Sequence, residues 1–599
     1  MIRGILALTF FGVASANGAD WPQWGGQQSR NMASTTEKGL PNWFDCGKEN
    51  ATYEVDMATA KNVKWAVKVN GRTLGSPIVS NGKVFIGTSS SGACLLCLDE
   101  QTGRELGRFV CPKPQNEQDV RHCLEDWGMS STPTVDEGRI YFVSPYQEVY
   151  CLDLKTWLSQ DENRPAHGDQ SPAAGDKILP NAQVTPEKCV LWKYDLAREL
   201  KAVQQHTASC SVLVHDKFVY VCTGNGRWMS ASANVPYYPL TPSLVVLNKK
   251  TGELVARDDE QIGERLWRGQ WSSPSMGVVG KKKQIYFGAG DGTCYAFEPV
   301  SPDTQVAPNR WLTTTLRGPI IQFIDVSGTT KTNSSASPSP MDGKVQATAA
   351  PAISPARPTP ASLFPVETRP SIKLPDCSPL DALPTAQVPD VPALRKIWWF
   401  DCIPKEYRKT PFYASDARSD GAGRPCEIMA TPVFYRIRVY VAIGGDPNHG
   451  GRNSKGNLVC IDATKTGDIT HTGQIWHYDK LNQSSSTVAI ADGLVYALDE
   501  SGVVHCLDAE TGKCYWTYTV VKGSGATSLS PLVADGKLFI GKSILAAGKE
   551  LKPLTFEMIT TPSYSTPCVA NGVLFTVQGK WLCAICDKGD KPVLTGISQ

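Results

Sequence analysis

The stretch Val503–Trp516 reads Val-Val-His-Cys-Leu-Asp-Ala-Glu-Thr-Gly-Lys-Cys-Tyr-Trp. An apolar, β-prone run meets Asp-x-x-Thr-Gly, and a second β-prone run follows and ends on an aromatic. These residues specify a tight hairpin. Asp508 caps its own turn through its carboxylate, and Gly512 takes the left-handed conformation the loop needs. A single hairpin is marginal in water, so its recurrence is what constrains the fold. Leu98–Gly103 and Leu247–Gly252 repeat it, and weaker copies stand at Cys151-Leu152-Asp153 and Cys460-Ile461-Asp462.

The hairpin is the second half of a longer unit. Each unit opens on Ser/Thr-Pro, at Ser76, Thr132, Ser273, Thr431, Ser530 and Thr566, with degenerate openings near Cys210-Ser211 and Ser486-Thr487. A strand, a tight turn and an apolar second strand follow. Closing aromatics include Trp65, Trp192, Trp399, Trp476 and Trp516. Proline is tolerated where a strand begins, because a ladder donor is dispensable there. Eight such openings predict an all-β fold, an eight-bladed β-propeller of four-stranded antiparallel blades. Burying a tryptophan removes about 150–250 Å² from water, so the recurring Trp is expected to glue neighbouring blades.

The ends and the spacing divide the chain. Residues 1–16 read as a secretory signal: Met1-Ile2-Arg3, an apolar run from Gly4 to Val13, and the small-x-small Ala14-Ser15-Ala16. The mature chain is therefore expected to be periplasmic or extracellular. No run reaches the ~18 apolar residues of a membrane helix. Trp21 and Trp24 predict a terminus tied down by packing. Residues 17–298 are assigned to blades one to three and the first part of blade four. Residues 299–393 read as a disordered insertion hung on that blade, since residues 338–392 alone carry 13 prolines. Residues 394–599 supply the rest of blade four, beginning with Lys396-Ile397-Trp398-Trp399, and blades five to eight.

A net charge of +2 supplies no field to attract nucleic acid or an anionic membrane. The 19 cysteines of an exported chain invite a disulfide reading. Yet Cys97, Cys151, Cys294, Cys460, Cys506 and Cys583 are read as one repeated slot. Equivalent positions in different blades lie beyond the ~7 Å reach of a bridge, so buried, inert thiols are expected there. Cys111 with Cys123, and Cys402 with Cys426, remain as disulfide candidates.

Chemistry is expected in the polar loops that break the repeat. The candidate ligand-binding residues are Asp126, Arg227, Trp228, Arg268, Gln270, Trp271, Asp446 and His449. Arg268, Gln270 and Trp271 precede the opening of blade four, where they offer a guanidinium, an amide and an aromatic face; inter-blade packing is the competing reading. Asp446 and His449 offer an acid–base or metal pair, or simply satisfy backbone groups of a glycine-rich loop. No Ser-His-Asp order, Walker loop or HExxH occurs, and no metal site is assigned.

Asp508-Ala-Glu-Thr-Gly-Lys-x-x-Trp516 resembles the tryptophan-docking repeat of PQQ-like β-propellers. That superfamily includes the quinoprotein alcohol dehydrogenases and the outer-membrane assembly factor BamB. Gly269–Pro274, Gly290–Phe297, Ala430–Phe434 and Asp446–Gly450 are similar to the exported PQQ-binding-like repeat proteins of bacteria. The resemblance covers roughly Trp21 to Asp587 outside the insertion. It implies either a binding or scaffold module for a protein or small-molecule partner at the channel mouth, or a PQQ- and calcium-dependent dehydrogenase of alcohols or sugars. The enzymes clamp PQQ between a tryptophan and a disulfide of adjacent cysteines, and hold calcium through Glu, Asn and Asp. No Cys-Cys pair stands in this sequence, so a binding or scaffold module is the expectation.

Overall fold

A computed structural model describes residues 19–51, 54–69, 73–89, 94–113, 128–159, 188–205, 207–226, 238–266, 268–302, 311–313, 387–404, 426–444, 455–521, 529–555 and 564–590. Eight of their sheets are the antiparallel blades of a β-propeller, the fourth with an added parallel strand, Gly467–Asp468; two further two-stranded sheets pair Lys48–Glu49 with Val55–Asp56 and Trp311–Thr313 with Gln387–Pro389. Blade one runs from Ile78–Ser80 to Glu105–Val110, blade two from Thr134–Asp136 to Val190–Asp195, and blade three from Leu213–His215 to Leu254–Arg257. In blade four, Thr293–Phe297 pairs with Lys396–Asp401. Blade five ends on Gln474–Tyr478 and blade six on Cys514–Thr519. Blade seven has three strands, and its outer position is reduced to the single bridge Leu545–Pro553. Blade eight takes its outer strand, Val63–Lys68, from the other end of the chain. Closing the ring with both termini removes the exposed edge that an open array would leave. Residues 315–386 make a second unit, which lies outside the described residues.

The eight opening residues turn out to be joined to one another. The Ser76 amide donates to the Thr132 hydroxyl at 2.9 Å, the Thr132 amide to Ser211 at 3.1 Å, and the Ser211 amide to Ser273 at 2.9 Å. Beyond blade five, Thr431 donates to Thr487 at 3.0 Å, Thr487 to Ser530 at 2.9 Å, Ser530 to Thr566 at 2.8 Å, and Thr566 back to Ser76 at 3.0 Å. Between blades four and five the link is instead Ser272 Oγ to the Ala430 carbonyl at 2.9 Å. First strands are only half paired within their own blade, so a hydroxyl here satisfies an amide that would otherwise be buried without a partner.

One end of this ring is sealed by the N-terminal segment. Three residues after seven of the eight openings, the chain meets it in turn. Trp21 exchanges backbone bonds with Val79, Pro22 accepts from the Val135 amide, and Gln28 accepts from Met276. Ser29 accepts from Phe434 and Met32 from Val533. Gln28 Nε2 donates to the Val214 carbonyl at 2.9 Å, and the Asn31 amide bonds both backbone groups of Ile490 at 2.8 Å. Arg30 is fully buried within this seal. Its guanidinium donates to the carbonyls of Trp24, Ser211, Val212 and Pro274 and to Gln23 Oε1. The expected packed terminus is therefore present.

Blades are glued by indoles as expected. Trp65, Trp192, Trp476 and Trp516 each donate Nε1 to a backbone carbonyl of the following blade at 3.0 Å. Each also packs on an aromatic of its own second strand, at 5.8 to 6.1 Å. The Thr-Gly turn of the next blade leans on the ring: a Cβ on Gly103, Gly252 or Gly512 would lie 2.7 Å from Trp65, Trp192 or Trp476. Gly512→Ala is therefore expected to cost about 2–3 kcal/mol, for left-handed strain and ring displacement together. Gly536, at φ +67 with open space around its Cβ position, should lose only about 1 kcal/mol on the same change. Paired urea titrations check the difference.

Two sequence assignments need correction. In blade four the docking register belongs to Trp398, opposite Ala296, not to Trp399. The repeated cysteine slot is the position facing that indole: Cys151 faces Trp192, Cys460 faces Trp476 and Cys506 faces Trp516. Blade four fills it with Ala296 and blade eight with Ala584. Cys294 and Cys583 lie off the slot, and Cys583 hydrogen-bonds Cys46 instead. A small side chain is what the position requires, because a ring lies across it. Burial pushes the Cys151, Cys460 and Cys506 thiols up to about 12, which suits inert packing. Cys402 and Cys426 are buried thiols, and Cys123 lies outside the described residues.

Candidate functional site

Residues just ahead of the first strands line the end of the ring opposite the N-terminal seal. Arg268 stands five residues before Ser273 and is only 4% exposed. With its amide oxygen turned toward the guanidinium, Gln205 accepts from Arg268 Nη2 and Nε at 3.2 Å, and its nitrogen donates to the Arg268 carbonyl at 3.1 Å. Trp271 Nε1 donates to the Gln205 carbonyl at 3.2 Å. Gly226 permits the approach: a Cβ there would lie 2.6 Å from the Arg268 carbonyl oxygen. Guanidinium, amide and indole are thus locked together by contacts across blades three and four.

Opposite Arg268 is Glu427, four residues before Thr431 and 1% exposed. Its backbone amide donates to Gly444. Neither carboxylate oxygen makes a hydrogen bond of good geometry, although the Arg268 and Gly269 amides lie toward it. Burial raises this carboxyl to about 8 even though Arg268 pulls it down. The same burial depresses Arg268, which Glu427 counteracts. Gly444 brings the arc on to blade six, since a Cβ on it would lie 2.4 Å from Gln483 Cα. Gln483 is buried, and its Oε1 has no partner. The arc Gln205, Arg268, Glu427, Gln483 therefore presents one cation, one strained carboxylate and two amides. Such a set exchanges hydrogen bonds with a polar ligand.

Glu500 continues it. One of its oxygens accepts from Ser485 Oγ, and the other is shut from solvent without a partner. Burial raises this carboxyl from its ordinary 4.5 to about 7. The fold therefore holds that proton more tightly than the unfolded chain does. The stability it contributes is present below 4.5 and is lost as pH rises through 7, to the extent of roughly 3 kcal/mol. Glu500→Gln should flatten this fall, seen as unfolding midpoints compared between pH 5 and pH 8.

Of the residues singled out in the sequence, Arg268 and Trp271 belong to this arc. Gln270 does not: its Nε2 donates outward to Asn225 and Ser243, at 3.3 and 2.7 Å. Asp126, Arg227, Trp228, Asp446 and His449 lie outside the described residues. The sequence reading passed over Gln205, Glu427, Gln483 and Glu500. The signal for two of them was available: Glu427 and Gln483 precede Thr431 and Thr487 much as Arg268 precedes Ser273. Among the described residues no three His, Cys, Asp or Glu side chains gather as a metal site, and no helix is long and apolar enough to cross a membrane.

Residues 48–197 and 453–551 match the family of the outer membrane protein assembly factor BamB. A 1-butanol dehydrogenase (cytochrome c) of Thauera butanivorans is 26% identical over 172 residues, 26% of this chain and 24% of that protein. The chain thus spans about a quarter of the length of this curated relative. BamB of Moraxella catarrhalis superposes with a TM-score of 0.45 at 10% identity, over 88% of this chain and 99% of that one. A europium-containing methanol dehydrogenase does so with a TM-score of 0.37 at 12% identity, over 88% and 89%. Over those two stretches the chain is similar to the BamB family, in line with the resemblance carried by its docking motif.

Proposed function

We propose that the protein is an exported binding module that holds a polar ligand, or a polar segment of a partner protein, at the unsealed end of its ring. The observation that carries this reading is the contrast between the two ends. Residues 21–33 bond to seven first strands and fill one end around Arg30. The other end holds Glu427 and Gln483, buried and short of donors. Unpartnered buried acceptors cost stability, and retaining them is economical where a ligand supplies the donors.

The described residues do not fit a calcium-held quinone. Glu427 already faces a guanidinium, so a second cation beside it would meet repulsion. No cluster of three acidic or histidine donors accompanies it among the described residues, and the adjacent-cysteine clamp is missing from the sequence. The test runs both ways. The purified protein is titrated with soluble oligosaccharides and short peptides by calorimetry, alongside Arg268→Ala and Trp271→Ala variants. It is also incubated with PQQ and Ca²⁺ and assayed for dye reduction with alcohols and sugars. Binding that the variants lose supports the module. Stoichiometric PQQ uptake with turnover overturns it.

A further inference from the structure

A cavity of about 380 Å³ lies between blades four and five, apart from the arc of Arg268 and Glu427. Its size falls within the range of small-molecule sites, roughly 300–1,000 Å³. Asp401 and Ile403, at the end of the outer strand of blade four, form one wall. Lys455 and Asn457, where the third strand of blade five begins, form the facing wall. His477 and Asp479, from the outer strand of blade five, stand at the rim.

Asn457 is the distinctive member. Its side chain is 8% exposed, and its Oδ1 has no hydrogen-bond partner. Its position is rigid, because its backbone pairs with Ile443. The preceding Gly456 sits so close that a Cβ would lie 2.2 Å from the Asn482 carbonyl oxygen. A fixed, buried acceptor without a donor costs stability that a ligand donor recovers. His477 contributes the opposite function. Gln474 Nε2 donates to its Nδ1 at 3.0 Å, which leaves Nε2–H to donate outward. Lys455 adds a cation to the same side and Asp401 an anion across from it. A sugar would call for an exposed ring on which to stack, and among the described lining residues the one phenyl, tyrosyl or indole ring, Phe400, is 1% exposed.

We propose that this cavity binds a small zwitterion, a free α-amino acid, with its ammonium on Asn457 Oδ1 and Asp401 and its carboxylate toward Lys455 and His477. Its described lining shares no residue with the arc at the unsealed end of the ring. Calorimetric titration of the full chain with glycine, L-serine and L-glutamate tests it, with methylammonium, acetate and D-glucose as controls. Amino acids should bind, and each control should bind at least about tenfold more weakly. Asn457→Leu should weaken binding by about tenfold or more, whereas Asn457→Asp, which keeps the acceptor and adds charge, should retain it. If Asn457→Leu fails to fold, Lys455→Ala serves in its place, with weaker binding of L-serine expected and no change in methylammonium binding. No heat with any amino acid, equal binding of glucose or acetate, or unchanged affinity in the variants would overturn the proposal. Arg268→Ala should leave amino-acid binding intact, which separates this site from the arc.

Discussion

Arg30→Ala should destabilise the protein by about 3–5 kcal/mol, the loss found when one member of a buried polar network is removed. The guanidinium spans parts of the chain far apart in sequence. It ties Trp24 on its own segment to Ser211 and Val212 of blade three and to Pro274 of blade four. Removing it strands these carbonyls in a site with no solvent access. It also frees the residues around Gly25, where a Cβ would lie 2.6 Å from Arg30 Cα. Arg30→Met keeps volume without donors and should recover little, which separates hydrogen bonding from packing. Urea titration measures the loss. Limited proteolysis should show new cleavage near residues 19–34, because the seal is joined to each of seven first strands through only one or two hydrogen bonds. An unchanged urea midpoint in Arg30→Ala would mean that the seal is held by the backbone alone.

The ring was legible because proline and glycine have positional meaning. Six openings carry Ser/Thr-Pro and were read directly; Ser211 and Thr487 lack the proline and were placed by spacing. What the opening hydroxyls do was not legible, since the amides they accept from lie 36 to 79 positions away, and 490 where Thr566 meets Ser76. The seal was half legible. Trp21 and Trp24 announced a packed terminus, but Arg30 looks like any surface arginine, and its partner Pro274 is 244 residues distant. At the candidate site, loop polarity drew attention to Arg268 and Trp271. It did not draw attention to Glu427, which sits between Cys426 and Ile428 in a run that reads as apolar. The carboxylate is noteworthy only once the fold buries it against Arg268.

The second large effect is expected at Trp398, where sequence and structure disagree about which tryptophan closes blade four. Trp398 is fully buried, lies 5.8 Å from Tyr286 and donates Nε1 to Gln284 Oε1 at 3.3 Å. Tyr286 occupies the place that Tyr141, Tyr440 and Tyr496 take under the docking indoles of blades two, five and six. Trp398→Ala should therefore cost about 3–5 kcal/mol. Trp399 is half-buried and carries Lys396 Nζ 4.2 Å above its ring. A partly exposed cation–π contact is worth about 1 kcal/mol at most, and Trp399→Ala should lose about that plus a little packing. The two indoles alternate across one strand, so a register shift of one residue would exchange their roles. The pair of variants, compared in one urea series, reads that register. A larger loss at Trp399 would place the strand one residue out, with Trp399 opposite Ala296. The insertion that precedes this strand makes the comparison pointed. Blade four must recover its pairing after a gap from Phe297 to Lys396, and a buried tryptophan in the correct slot is the strongest local energy available to fix where it resumes.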